Sequence, residues 1–419
     1  MTSRQRVVDA INHRKPDRVP VDLGSTGQTG ISASTLYRLR KALNMDSGPI
    51  KVHEPFQMLG EVDKELVRAF NVDIIGLWSP TNMLGIKNEN WKPWQMPDGT
   101  PVLMAQGFEY DVGDDGSIYA YPQGDRTAMP SVRLPKGGFF FDNIERSGDF
   151  DEDDLDAERD FGESFQVMDD ETANYLEKES IRLFEETDLA IVGNWGGGGF
   201  GDVALIPGPS LKNPRGIRKI EDWLVAHILY PDYIMEVFEL QAESALKNLE
   251  IYKQAVGNRI QVINVSGTDF GTQNGAFISP EVFRKLYKPF YRKINDWIHK
   301  NTEWKTFYHS CGSIISLLDD LIDSGVDIIN PVQCSAYGMD PEVLKQKYGD
   351  KIVFWGGGVD TQKILPFGTP EDVQTQVKER LKTFSAGGGY VFCTIHNIVA
   401  KTPVENIIAM FDAIREFND

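Results

Sequence analysis

Residues 305–332 read KTFYHSCGSIISLLDDLIDSGVDIINPV and contain the pattern that decides the fold. A short apolar run at 305–310 predicts a buried strand, 313–325 predicts a helix that ends at Gly325, and 326–332 predicts the next strand. An apolar strand, a helix and a second apolar strand in this order are typical of a parallel sheet covered by helices. The stretch therefore indicates an α/β fold.

The same alternation extends in both directions along the chain. Before this stretch, strands at 189–196 and 259–267 alternate with helices at 231–258 and 280–301, the second of which is interrupted at Pro289. After it, strands and helices alternate to the last residue. About seven or eight strands in this rhythm suit a closed barrel, whereas an open doubly wound sheet usually has a glycine fingerprint after its first strand. We therefore predict one α/β domain over residues 1–419, a single (β/α)8 TIM barrel.

Residues 85–145 interrupt this rhythm. They contain the steps Asp98-Gly99 and Asp115-Gly116, alternating apolar residues, and three phenylalanines at 139–141. These features predict a β-ribbon of hairpins. With the acidic loop that follows, the ribbon forms a β-rich insertion at about 85–175. We expect it to cover the barrel mouth or to form a subunit contact. The assembly that we expect for such a contact is a homodimer.

The charge balance and the three cysteines limit the class of protein. The chain has 43 basic and 62 acidic residues, a net charge of −19, and much of the acidic excess lies in a solvated run at 149–186. Such a surface repels nucleic acid and anionic lipid, so neither is an expected partner. There is no apolar stretch of the roughly 18–20 residues that a membrane span needs, and no signal-peptide core. Three cysteines do not suggest a disulfide framework, so we predict a cytoplasmic enzyme with reduced thiols.

The main chemical signal is His309 followed by Cys311 at the end of a predicted strand. Imidazole and thiolate two residues apart can point into one coordination sphere, and catalytic zinc sites usually take three nitrogen, sulfur or oxygen ligands from the protein. The third ligand would come from Cys393, His396 or Cys334, which all lie at strand ends on the C-terminal face of the barrel. An isolated pair of this kind also fits a core histidine and an apolar cysteine. The grouping at strand ends favours a metal site.

Polar loops follow two other predicted strands. Asp269 and Gln273 lie in GTDFGTQ at 267–273, and Asp360 lies in the turn after KIVFW. Such groups can orient a polar substrate, transfer protons or brace a metal-bound histidine. The alternative is that each aspartate caps the next helix. For Asp269 we favour the functional role, because its loop is longer than capping requires.

At these motifs the sequence resembles the uroporphyrinogen decarboxylase superfamily, which includes the corrinoid-linked methyltransferases. The resemblance covers most of the chain outside the insertion and implies a (β/α)8 barrel with its site at the C-terminal mouth. The matching segments are RQRVVDAINHRKPDRVP at 4–20, GTDFGTQNGAFISPEVF at 267–283, HSCGS at 309–313, GVDTQ at 358–362 and TPVENIIAM at 402–410.

The resemblance is closer to the methyltransferase branch. That branch carries H-x-C-G, which matches His309, Cys311 and Gly312, and its zinc takes a cysteine six residues before the final Thr-Pro. Here that position is His396, with Cys393 three residues upstream. The decarboxylases proper have an arginine-rich motif near the first strand and an acid after the strand matching 72–78. The corresponding segments here, VDLGSTGQTG at 21–30 and SPTNM at 79–83, lack both.

The resemblance thus implies a zinc-dependent methyltransferase that moves a methyl group between a corrinoid protein and a small acceptor. Methylcobalamin on the partner protein would be the donor, His309 and Cys311 with His396 or Cys393 would hold the zinc, and Asp269 or Gln273 would orient the acceptor. The alternative is a uroporphyrinogen decarboxylase-like lyase, for which Lys212, Arg215 and His396 are the available groups. A third hypothesis is a subunit or sensor that binds a corrinoid protein without turnover.

Overall fold

The centre of the protein is a parallel sheet of seven strands. The structure, a computed structural model, describes residues 1–46, 48–148 and 150–419, so Asp149 at the start of the predicted acidic run lies outside them. The strands are β1 (Ile50–Glu54), β2 (Leu59–Gly60), β3 (Ile74–Leu77), β4 (Lys92–Gln95), β5 (Pro101–Met104), β6 (Tyr110–Val112), β7 (Ile118–Ala120), β8 (Val132–Leu134), β9 (Asp142–Asn143), β10 (Ala190–Asn194), β11 (Val262–Ser266), β12 (Lys305–His309), β13 (Ile328–Asn330), β14 (Val353–Trp355) and β15 (Tyr390–Val391).

Helices cover the sheet. Some of them begin where the sequence predicts a helix, and others do not. They are α1 (Ser3–Ile11), α2 (Ala33–Ala42), α3 (Lys64–Ala69), α4 (Ala157–Phe161), α5 (Asp170–Glu186), α6 (Ile220–Leu229), α7 (Pro231–Val256), α8 (Pro280–Val282), α9 (Lys288–Asn301), α10 (Leu318–Asp323), α11 (Pro341–Tyr348), α12 (Ile364–Phe367), α13 (Pro370–Phe384) and α14 (Val404–Asn418). None of the described helices combines the length and the apolar composition needed to cross a bilayer.

The seven parallel strands follow one another in chain order, from β3 through β10, β11, β12, β13 and β14 to β15. The sheet curls so that both of its edges reach one segment near the N-terminus. Val21 forms an isolated parallel bridge with Phe392 beside β15, and its carbonyl accepts a hydrogen bond from the Asp73 amide beside β3. The predicted α/β class and parallel sheet are confirmed. The described strands form a curled sheet of seven, and an eight-stranded closed barrel stays a prediction.

Alternate residues of the sheet form two apolar layers, because successive side chains of a strand point to opposite faces. One layer packs against the outer helices. The other, the inner core, is closed at one end by α1 and explains the short, continuous apolar runs in the sequence. The inner core consists of Val7, Ala10, Ile11, Ile74, Ala190, Val192, Val262, Phe307, Ile328, Val353, Trp355, Val391 and Cys393.

The helix predicted at 280–301 is divided near Pro289. A π-helical turn over Phe283–Tyr287 precedes α9, and Pro289 occupies the first turn of α9. Proline has no N–H to donate, so it is tolerated where a helix begins and not in the interior of a regular one. The sequence does not predict helix α6, because its residues do not form a polar face. In the structure Val225, Ile228 and Leu229 of this helix are exposed.

The predicted hairpins are present, in two additional four-stranded sheets with the orders β2-β1-β5-β4 and β6-β7-β8-β9. The Asp98-Gly99 step joins β4 to β5 and Asp115-Gly116 joins β6 to β7, with positive φ angles at Gly99 and Gly116. Two features differ from the prediction. The strand β1, which precedes the insertion, pairs in parallel with β5, and residues 139–141 do not form a strand.

Candidate metal centre

Three of the predicted ligands converge at the C-terminal ends of the central strands. His309 is the last residue of β12, Cys311 lies two residues beyond it, and His396 lies after β15. One ligand atom from each of the three side chains lies within 4.8 Å of the others. Cys311 Sγ is 3.2 Å from His309 Nε2, and the two imidazole ring centroids are 5.3 Å apart. Two nitrogens and one sulfur in this arrangement fit a zinc ion with a fourth position left open.

The turn after β12 depends on Gly312, which has a φ of +79°. A Cβ atom at this residue would lie 2.4 Å from the carbonyl carbon of Gly271, so a larger residue would push two loops apart. Asp269 on the neighbouring loop accepts a hydrogen bond from the Cys311 amide at 2.6 Å. The Gly312 amide donates to Gln333 Oε1 at 2.8 Å. The backbone that carries Cys311 is therefore held from two sides.

His309 has the tautomer that a metal ligand needs. Its Nδ1 lies 2.6 Å from Asn330 Oδ1, and Asn330 Nδ2 donates to the Trp355 carbonyl at 2.8 Å. Because a carbonyl only accepts, the Asn330 amide is oriented with its oxygen toward His309. The His309 proton is then on Nδ1, and Nε2 presents its lone pair toward Cys311.

His396 is held in an unusual backbone conformation. Its φ is +69°, a left-handed value that is uncommon for a residue with a side chain and is found at functional sites. Burial and the adjacent His309 lower the pKa of His396 to about 4, so the ring is neutral near pH 7. Its Nδ1 accepts a hydrogen bond from the Asn397 amide at 2.8 Å. A ring that binds a metal through one nitrogen keeps its proton on the other, so coordination by His396 displaces this contact.

Cys311 and Asp269 are the two acidic side chains that contact His309. Burial, and then the nearby Asp269 carboxylate, raise the pKa of the Cys311 thiol well above its ordinary value. A divalent cation at this point would reverse that shift, because coordination deprotonates a thiol. Asp269 Oδ1 is 3.6 Å from His309 Nε2. The donor set therefore carries the charge and the atom types that a divalent cation requires.

The other predicted residues lie elsewhere. Gln273 is exposed and its Nε2 donates to Gln362, so the expectation that it joins the site is not met by its position. Asp360 accepts hydrogen bonds from the Gln362 and Lys363 amides, as in the capping alternative. Cys393 is part of the inner core and contacts Asn330 through Sγ. Cys334 Sγ lies 3.2 Å from the Val332 carbonyl. The structure brings neither cysteine into the three-residue group.

A cavity of about 800 Å³ opens beside His309, His396 and Asp269. Its walls are largely apolar and include the three phenylalanines of the insertion. Among the described residues that line it there is no lysine or arginine. The apolar lining residues are Phe56, Leu59, Met83, Phe139, Phe140, Phe141, Val203, Ala204, Leu205, Ile220, Ile398, Val399 and Ala400. A smaller cavity of about 220 Å³ shares Gly196, Asp202 and Leu205 with it but contains none of the three ligands.

Sequence patterns did not identify three polar residues of this region. Asn330 supports His309 from the adjacent strand, while Asp202 and Asn264 line the cavity. The end of the strand at 326–332 was a signal for Asn330, because parallel strand ends meet at one edge. Asp202 follows the glycine-rich stretch at 195–201 and has no local feature that marks it.

The family model described as uroporphyrinogen decarboxylase (URO-D) matches residues 213–417. Uroporphyrinogen decarboxylase of Coxiella burnetii is 30% identical over 148 residues, 34% of this chain and 38% of that protein. The Mannheimia succiniciproducens enzyme of the same name is 23% identical over 221 residues, 51% of this chain and 55% of that protein. The chain thus spans only about two fifths to just over half the length of these relatives.

A methyltransferase from Methanosarcina mazei has a similar fold, with a TM-score of 0.55 and 18% identity over the full length of both chains. The region matched by the family model contains β11 to β15 and all three residues of the candidate metal centre. The parallel sheet and the strand-end site agree with this match, and the resemblance to the uroporphyrinogen decarboxylase superfamily is confirmed over residues 213–417.

Proposed function

We propose that this protein is a zinc-dependent methyltransferase that moves a methyl group between a corrinoid protein and a small acceptor. The observation that carries the proposal is the group His309, Cys311 and His396, three donor atoms within 4.8 Å of one another beside a large cavity. The similarity of the fold to a protein named methyltransferase supports it. The protein would act in the cytoplasm, as one TIM-barrel domain with an insertion at about 85–175.

Zinc bound to these three residues would act as a Lewis acid that lowers the pKa of an acceptor group in the open coordination position. Asn330 keeps the His309 ring in the tautomer that offers Nε2. Asp269 lines the cavity next to His309, and we assign to it the orientation of the acceptor. The apolar walls exclude water from the acceptor, while the open side of the cavity admits the methylated corrinoid of a partner protein.

The second candidate is a decarboxylase-like lyase, which the names of the curated relatives favour. A polycarboxylate substrate requires cations around it. The cavity has no lysine or arginine among its described lining residues. Lys212 pairs with Asp125 at 2.6 Å and Arg215 is exposed, and neither lines the cavity. This arrangement ranks the lyase second.

Elemental analysis of the purified protein and of its His309→Ala variant tests the proposal. We expect about one zinc per chain in the wild type and a strong loss in the variant, because a catalytic zinc site has three protein ligands. Demethylation of free methylcobalamin, followed by its absorbance change in the presence of small thiols, tests the transfer. A wild type without zinc would overturn the proposal, and turnover of uroporphyrinogen would favour the lyase.

A further inference from the structure

Three of the side chains that line the large cavity and present oxygen atoms are those of Asp202, Asn264 and Asp269. We call these residues the oxygen cluster. We propose that the oxygen cluster binds the ammonium group of a small organic ammonium ion, whose apolar body packs on the phenylalanines of the cavity wall. That this compound is the methyl acceptor rests on the proposed function, whereas its binding does not.

Asn264 presents an unsatisfied acceptor whose identity is fixed by a chain of hydrogen bonds. Asn194 Nδ2 donates to the Ser25 carbonyl at 2.8 Å, so Asn194 Oδ1 faces Asn264 and accepts from its Nδ2 at 3.3 Å. Among the described residues Asn264 Oδ1 has no hydrogen-bond partner, and its side chain is only 8% exposed and lines the cavity. A buried amide oxygen without a donor costs free energy, so a ligand that donates a hydrogen bond there is favoured.

Asp202 and Asp269 supply negative charge without a cation from the chain. Asp202 Oδ1 accepts from the Ala204 amide at 2.9 Å, and neither carboxylate forms a salt bridge with a lysine or arginine in the described part of the chain. Burial, and then the charge of Asp269, raise the pKa of Asp202 to about 7. A positive charge placed beside the two carboxylates would offset the repulsion that Asp269 exerts on ionised Asp202.

Glycine at position 267 keeps space open beside this charge. A Cβ atom at Gly267 would lie 3.3 Å from Asp202 Oδ2 and 3.3 Å from Gln28 Nε2, which is tighter than an ordinary contact. Gln28 also lines the cavity, and its Oε1 has no hydrogen-bond partner in the part of the chain that the structure describes. The free space is therefore bordered by a carboxylate oxygen on one side and an amide group on the other.

The aromatic wall suits a cation with an apolar body. Phe56 and the phenylalanines at 139–141 line the cavity, and aromatic faces attract ammonium groups. The chain itself gives an example at the mouth, where Lys401 Nζ lies 4.7 Å from the centre of the Phe139 ring. An anionic ligand would meet the carboxylates of Asp202 and Asp269, and none of the described lining residues is a lysine or arginine. The cavity therefore selects a cation.

Calorimetric titration with three matched probes tests this inference: 2-phenylethylammonium, 2-phenylethanol and 3-phenylpropanoate. At about pH 8 Asp202 is ionised, and we expect the ammonium to bind about 10-fold or more tightly than the alcohol, and the carboxylate to bind least. In Asp202→Asn the preference for the ammonium over the alcohol should shrink to about 3-fold or less. Asp142→Asn changes an exposed carboxylate of the same cavity and should leave the preference unchanged.

Gly267→Ala is a second variant that keeps every charge and narrows the space beside Asp202, so it should weaken the ammonium more than it weakens the alcohol. It decides the matter if Asp202→Asn does not fold. Equal binding of the three probes to the wild type, a preference for the carboxylate, or a preference that survives both variants would overturn the inference. The zinc content of the same samples is measured separately, so a zinc-free protein that still prefers the ammonium overturns the proposed function alone.

Discussion

His309 and Asn330 are direct partners across β12 and β13, and the side chains of the pair meet at 2.6 Å between Nδ1 and Oδ1. The register of two parallel strands thus decides which nitrogen of a candidate metal ligand carries the proton. Asn330 is fully buried and has its other amide atom bonded to the Trp355 carbonyl, so it cannot turn away without losing two hydrogen bonds.

Replacement of Asn330 by alanine should weaken zinc binding by about 10- to 100-fold, because partners of this kind fix ring orientation and ligand basicity. Competition with a chromophoric chelator measures the affinity. Asn406→Ala is the matched control, since Asn406 is also a buried amide that donates to two backbone carbonyls, those of Leu365 and Gly368. The prediction fails if both variants retain the affinity of the wild type.

The identity of the third ligand gives a second prediction. His396→Ala should lose most of the bound zinc, whereas His396→Cys should retain it, because thiolate and imidazole are both zinc ligands. Cys393→Ala should retain zinc, since Cys393 belongs to the inner core and lies outside the three-residue group. Metal content after dialysis against a weak chelator measures all three. Loss of zinc from Cys393→Ala with retention in His396→Ala would reverse the assignment.

Local patterns were sufficient for the sheet and for the pair His309 and Cys311. The apolar runs of the strands reflect burial on both faces, and two residues at the end of one strand are close by covalent geometry alone. The third ligand required tertiary information. Cys393 and His396 lie only three positions apart in the sequence. Cys393 packs in the inner core, whereas His396 reaches the site through its left-handed backbone conformation. Sequence could name both but could not choose between them.

Gln273 shows a second limit of prediction from sequence, because a residue that was expected at the site lies outside it. Asp269 and Gln273 lie in one polar loop, but the loop turns between them, so Asp269 contacts the Cys311 amide while Gln273 faces solvent. The sequence did not indicate the oxygen cluster as a group, because its members come from two distant parts of the chain. Asp202 follows β10, whereas Asn264 lies within β11 and Asp269 follows β11, 62 and 67 residues later. A residue's type and its place after a strand predict the edge where it lies, and not the direction of its side chain.

The elevated pKa of Asp202 predicts a pH-dependent stability. Burial and Asp269 raise this pKa from 3.8 to about 7 in the folded protein, so folding favours the protonated form. The associated stability is complete below about pH 4 and is lost as the pH rises toward 7. Asp202→Asn lacks this loss, so its stability relative to the wild type should increase by about 3 kcal/mol between these pH values.

Denaturant midpoints of the chelator-treated proteins at several pH values measure the effect. Asp142→Asn, at an exposed carboxylate, serves as the control. A constant difference between Asp202→Asn and the wild type from about pH 4 to pH 8 would show that Asp202 does not titrate as its burial requires.

The segment near Val21 that joins both edges of the sheet depends on Asp73. This carboxylate is fully buried and accepts hydrogen bonds from Arg6 at 2.7 Å, from Arg18 at 2.8 and 2.9 Å, and from the Val21 amide at 3.0 Å. Both arginines belong to the opening motif at 4–20, so this motif has a structural role.

Asp73→Asn should destabilise the protein by about 3–5 kcal/mol, because it leaves two arginines without their buried counterion. The denaturant midpoint measures this, and Asp9→Asn, which breaks the exposed pair with Arg14, should cost less than about 1 kcal/mol. Equal midpoints for the two variants would mean that the Asp73 pair does not hold the edges of the sheet together.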